Sequence, residues 1–197
     1  MIDRSHLEQW IPVSDARGVA DEFFDDRQTY PDDSFYSRKR GINKDVPEEY
    51  HPLLLLAEHL DAKSLRLSPD SLPGPDGALL LPDESEITVQ VTVSHERSDG
   101  YKVRQSLRDN GSWSTGGFET NEVIAQRLER ILDAVEDKEA KFRAGTDVLL
   151  VVDKSISWGD VIAPGLPDAL ARAIERLPES RYSATYVAYG TDVRRVR

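Results

Sequence analysis

The chain has 197 residues and no cysteine, and it carries 36 Asp and Glu against 25 Lys and Arg, for a formal net charge of -11. One domain fits that length; disulfides and thiolate metal sites are excluded, and four unpaired histidines argue against zinc. The charge opposes nonspecific coating of nucleic acid, and no apolar run nears the roughly 18 residues of a membrane span. With no cysteine and no basic-then-apolar leader at Met1 to His6, the expected location is cytoplasmic.

Ser14-Asp15 opens a helix whose Ala16, Val19, Ala20, Phe23 and Phe24 share one stripe. Residues 34–45 have no period and read as a loop holding the basic run Arg38-Lys39-Arg40. Pro47 suits a first helical position, and Leu53 to Leu60 reads as a buried helix with Glu58 on its wet edge. Residues 1–46 thus form a helical lead-in packed on a core of residues 47–197.

Ser64 to Ser68 alternates as a strand, followed by turn chemistry through Gly74. Pro75-Asp76-Gly77 leads into a second strand, Ala78 to Leu81, and Pro82 to Ser85 turns the chain again. The third strand alternates cleanly: Ile87, Val89, Val91 and Val93 on one face, Glu86, Thr88, Gln90 and Thr92 on the other. A polar loop from His95, a short helix over Tyr101 to Asp109 and a Gly- and Ser-rich stretch follow. Thr120 caps the longest helix, with Leu128, Ile131, Leu132 and Val135 along its inner side.

Gly145 ends that helix, and Val148 to Val152 is apolar throughout, the pattern of a central strand covered on both faces and parallel to its neighbour. A loop through Trp158, a helix over 169–177, a last strand from Tyr182 to Tyr189 and a basic tail complete the chain. The order helix, three closely spaced strands, helix, strand, helix, strand predicts an α/β fold, a mixed sheet of about five strands flanked by helices.

In this order the chain resembles the PD-(D/E)XK nuclease superfamily, the restriction-endonuclease-like fold. The likeness spans about Leu53 to Tyr189 and is sharpest at Pro75-Asp76 and Thr88-Val89-Gln90, with the helix ending Lys138-Glu139-Ala140-Lys141 as the crossover. The resemblance implies that Asp76 and the second acid bind a magnesium-like ion, which polarises a phosphate for hydrolysis. It also places Thr88 in the second acidic position and Gln90 in the lysine position. Lys138 or Lys141 supplies an ammonium from the helix, and Glu86, two residues before Thr88, stands as the replacement carboxylate. Lys102, Arg104 and Arg108 would hold a DNA backbone.

Three functional readings stay open. The first is a magnesium-dependent DNA phosphodiesterase with Asp76 and Glu86 as metal carboxylates. The second is a catalytically silent relative that binds a protein partner in a nucleic-acid-processing or defence assembly, favoured by the missing acid at Thr88. The third is an acidic interaction or immunity protein, supported by charge alone.

Overall fold

A computed structural model describes residues 3–29, 42–69, 74–94, 121–142, 144–153, 169–170, 172–173, 175 and 179–197. The helix predicted over Tyr101 to Asp109, the loops around it, the Thr120 cap, Arg38 to Arg40 and the Trp158 loop lie outside the described residues.

Helix α1 (Arg4–Leu7) and the short strand β1 (Ile11–Pro12) lead into α2 (Val13–Thr29). A second helical passage is continuous from α3 (Ile42–Asp45) through a π-helix (Val46–Tyr50) into α4 (His51–His59). Residues 42–45 are thus helical where aperiodic sequence predicts loop; α3 is one turn, too short to show a hydrophobic period. Strands β2 (Ser64–Leu67), β3 (Gly77–Leu80) and β4 (Glu86–Ser94) follow, then α5 (Asn121–Ala140), β5 (Val148–Asp153), β6 (Ala184–Tyr189) and β7 (Asp192–Arg195).

The seven strands among the described residues form one sheet in sequence order. β1 to β4 pair antiparallel, β5 runs parallel to β4 and β6 parallel to β5, and β7 returns antiparallel. The predicted α/β mixed sheet is present, two strands larger than expected because both edges are added by segments with weak alternation. At one edge, Ile11 and Pro12 pair with Leu65 and Ser64. At the other, the supposed tail folds back after Gly190, whose φ of +59° suits a residue without Cβ. That turn brings Val193 opposite Ala188.

Alternation along the strands gives the sheet two apolar faces. Leu65, Leu67, Leu79, Val89, Val91, Leu150 and Tyr186 pack with Leu7, Ala16, Ala20, Phe23 and the apolar side of α4. Leu149, Val151 and Val187 pack with Ile131 and Val135 of α5 and with Leu170. The N-terminal helices and α5 therefore cover opposite faces, and β5 is buried between them as its uniform composition requires. Glu58 sits at the edge of α4 and binds Arg17 of α2, with Nε donating at 2.8 Å. No described helix is long and apolar enough to cross a membrane.

α5 is tied to β5 by more than apolar contact. Arg127 donates from Nε (3.1 Å) and Nη2 (2.8 Å) to Asp153 Oδ2, and the two side chains are only 1% and 2% exposed. Removing one partner takes from the other the opposite charge it faces in a buried setting. We therefore expect Arg127→Met to cost about 3–5 kcal/mol in urea unfolding, and a double Arg127→Met, Asp153→Leu variant to recover much of that loss.

His51, packed edge-on against Phe24, is pushed down by burial from 6.5 to about 4. The unfolded chain thus takes up a proton below about 6.5 that the folded chain refuses until about 4. The unfolded state binds more protons in that window, so this residue's contribution to stability falls as the pH drops through it. Urea midpoints should show His51→Phe suppressing an acid loss on the order of 2 kcal/mol by about pH 4.5.

Candidate active site at a strand fork

β3 and β4 are paired up to Gly77 opposite Val89, and there they part. The Asp76 N–H still donates to the Val89 carbonyl at 2.9 Å, while Pro75, one residue earlier, has no N–H to continue the ladder. The next inward N–H of β4, that of Val91, is received by the Asp76 carboxylate, with Oδ2 at 2.7 Å. The Gln90 amide nitrogen donates to the same oxygen. On the other side, the Ser68 N–H donates to the Asp76 carbonyl at 2.9 Å. Asp76 is therefore fixed by main chain and side chain together at the point where the two strands fork.

Gly77 makes this approach possible. A Cβ there would stand 2.5 Å from Leu53 Cδ2 and 2.7 Å from the Arg66 carbonyl oxygen, so any side chain would drive β3 away from β2 and α4.

A second carboxylate lies on the N-terminal helical passage, paired with Lys44 and beside the Arg4 guanidinium that also binds Ser68 next to Asp76. Glu49 lies on the π-helix, a winding that recurs at functional sites. Lys44 Nζ donates to Glu49 Oε1 at 3.0 Å. Arg4 stands behind the other oxygen, with Nη1 3.8 Å from Glu49 Oε2 and 2.6 Å from Asp45 Oδ2, and its Nη2 donates to the Ser68 carbonyl at 3.0 Å.

The charge of Asp76 acts on Glu49. Burial holds Glu49 above the usual carboxylate range against the pull of Lys44, and the negative charge of Asp76 pushes it the same way. Asp76 is likewise held up by burial, opposed by the Val91 N–H, the charge of Lys138, the Gln90 amide and Lys44. Two partly desolvated acids, raised by burial with Asp76 adding to Glu49's shift, and the basic side chains of Lys44, Arg4 and Lys138 near one or the other make a charged cluster of the kind that recurs at functional sites.

No protein-family model, curated protein or solved structure matches the chain.

The sequence-derived candidates distribute unevenly about this fork. Asp76 and Gln90 meet directly, and Lys138, half-buried near the end of α5, is close enough for its charge to act on Asp76. Lys141 is exposed and pairs with Asp137 one turn back. Thr88 is committed elsewhere. Its N–H donates to Asp147 Oδ2 at 2.9 Å, and its hydroxyl, 2.8 Å from both that oxygen and the Gly145 carbonyl, accepts from the Asp147 N–H at 3.0 Å. Thr88 thus clamps β4 to the start of β5.

Glu86 does not join the site either. Its side chain is exposed and accepts from Arg66 Nη2 at 3.0 Å. Four residues of strand place it about 13 Å from Gln90, beyond the roughly 2 Å bonds of one magnesium ion. Lys102, Arg104 and Arg108 lie outside the described residues.

The neighbour of Asp76 on β4 is therefore Gln90, so the position next to the aspartate holds an amide, and Thr92 follows it by two residues on the same face. Glu49 went unread in the sequence although a signal existed. Val46, Tyr50 and Leu53 mark a buried stripe at helical spacing, and Glu49 falls within it while Glu48 does not.

Among the described residues no three His, Asp or Glu groups gather as a metal cluster. Asp76, Glu49 and the Gln90 amide oxygen, after a half-turn of that amide, still offer hard oxygen donors. That set suits magnesium, which keeps several waters and takes one or two carboxylates.

The Asp76 charge is costly where it lies, yet its oxygen satisfies a buried N–H. Asp76→Asn keeps an acceptor for Val91 and removes the charge; Asp76→Ala removes both. We expect the asparagine variant to melt at or above the parent at neutral pH, and the alanine variant to lose about 1–3 kcal/mol. Thermal melts of the two variants side by side make the comparison.

Proposed function

We propose that the chain is a nuclease-like protein of the PD-(D/E)XK kind that hydrolyses DNA phosphodiester bonds with magnesium, using Asp76 and Glu49 as its metal carboxylates. The observation that carries this reading is the Asp76 carboxylate held by the Val91 N–H and the Gln90 amide where β3 and β4 part, with Glu49, whose proton affinity the charge of Asp76 raises, as the second acid. It is supported by the topology around them: an antiparallel meander, a crossover helix and a parallel strand, in the order the sequence resemblance implies.

When bound, magnesium supplies a Lewis acid for the phosphate and lowers the pKa of a water. The chain's own residues do the rest. The Val91 N–H and the Ser68 N–H hold Asp76 in place, so its carboxylate is fixed to the sheet from the bend just before β3. Gln90 orients Asp76 and offers an amide to an incoming water. Lys138 adds positive charge from α5 on the side of the sheet where Gln90 faces, suited to charge developing on the phosphate.

A second reading rests on a specific observation: the position next to Asp76 is a neutral amide, and Thr88 is consumed by Asp147. This favours a catalytically silent relative that keeps the pocket to bind a protein partner.

Manganese or magnesium titration followed by thermal melting separates the two. A ligand that binds only the folded state raises the midpoint. Millimolar metal should raise that of the parent and leave Asp76→Asn and Glu49→Gln unmoved, and plasmid nicking by the parent should fall at least a hundredfold in Asp76→Asn. No metal-dependent shift in the parent would discard the hydrolase and leave the partner-binding reading.

A further inference from the structure

The pocket already contains a cation of its own. Lys44 and Glu49 are five residues apart, a spacing that α-winding sets about 140° apart around the axis and that π-winding closes. The π-helix between α3 and α4 is what seats the Lys44 ammonium on Glu49 Oε1, 3.0 Å away. Arg4 is held differently. Its guanidinium is bound first to Asp45 and to the Ser68 carbonyl, and its side chain is 16% exposed, whereas that of Lys44 is 40% exposed and open to water beside its bond to Glu49. Of the two cations on Glu49, Lys44 is the one that can leave.

Resting on the reading of Asp76 and Glu49 as metal carboxylates, we infer that Lys44 is the site's resident counter-ion, seated on Glu49 by the π-helical turn and displaced by a divalent cation when one binds. Lys44 and the metal compete for one carboxylate oxygen. In the metal-free state the ammonium relieves the repulsion between Glu49 and Asp76, which lets two acids lie in a half-buried pocket without unfolding it. On metal binding that pair must break, so the apparent affinity for metal is set below what the carboxylates alone would give.

The test is Mn2+ binding to the full chain, measured by the electron paramagnetic resonance signal of free Mn2+ and independent of any activity. Lys44→Met should bind Mn2+ roughly twofold to fivefold more tightly than the parent, the span expected for loss of a partly exposed ion pair. Lys44→Arg, which keeps the charge, should stay near the parent. Lys44→Gln retains a donor to Glu49 without the charge, should follow Lys44→Met, and replaces it if that variant does not fold. If the parent binds Mn2+ and neither neutral variant binds more tightly, the counter-ion role is wrong while the metal site stands. If neither the parent nor the neutral variants bind Mn2+, the assignment of Asp76 and Glu49 as metal carboxylates fails and takes this inference with it.

Discussion

The hydrogen bond from the Val91 N–H to the Asp76 carboxylate is the contact on which the arrangement depends. Two antiparallel strands that separate must leave a buried main-chain donor unmatched, at a cost comparable to a lost hydrogen bond. Here a side chain takes the place that the departing strand vacates. β3 pairing can therefore end at Gly77 while β4 runs on to Ser94. The acid that closes the ladder is also the acid most exposed to the demand for a counter-charge.

Everything else brought to the fork arrives on an element anchored elsewhere. α4 is buried along most of its length and fixes the π-helix that carries Glu49 and Lys44. α5 is pinned to β5 by the Arg127–Asp153 pair and by Ile131 and Val135, and this holds Lys138 over the opposite face. Each acid has a basic neighbour within the protein: Lys44 and Arg4 bind Glu49 and Asp45, and the charges of Lys138 and Lys44 act on Asp76, while Glu8 and Glu48 add negative charge beside Arg4 and Lys44. Such pairing helps acids persist where they are partly desolvated.

The fold was legible where period and burial coincide. Alternation from Ile87 to Val93 and the uniform apolar run from Val148 to Val152 each have one stable solution, a half-covered and a fully covered strand, and the sheet contains both. The edges were not legible. Ile11-Pro12 is too short for any period, and the strand after Gly190 buries only Val193 of its four residues. The site was legible in part for a related reason. Pro75-Asp76-Gly77 and Gln90 carry local signals of turn and strand face, whereas Glu86 and Gln90 share a face yet differ in which neighbour they meet, Arg66 for one and Asp76 for the other.

By itself the sequence determined the main element types, the mixed sheet and the exclusion of thiolate chemistry, because these follow from composition and from periods of two and 3.6 residues. Only the tertiary structure decided which partner Asp76 has. Register put Gln90 rather than Thr88 beside it, turned Thr88 toward Asp147, left Glu86 with Arg66, and brought Glu49 from an element 27 residues earlier. Convergence of that kind depends on how strands stagger and how a helix is wound, and neither is written in the spacing of residues along one segment.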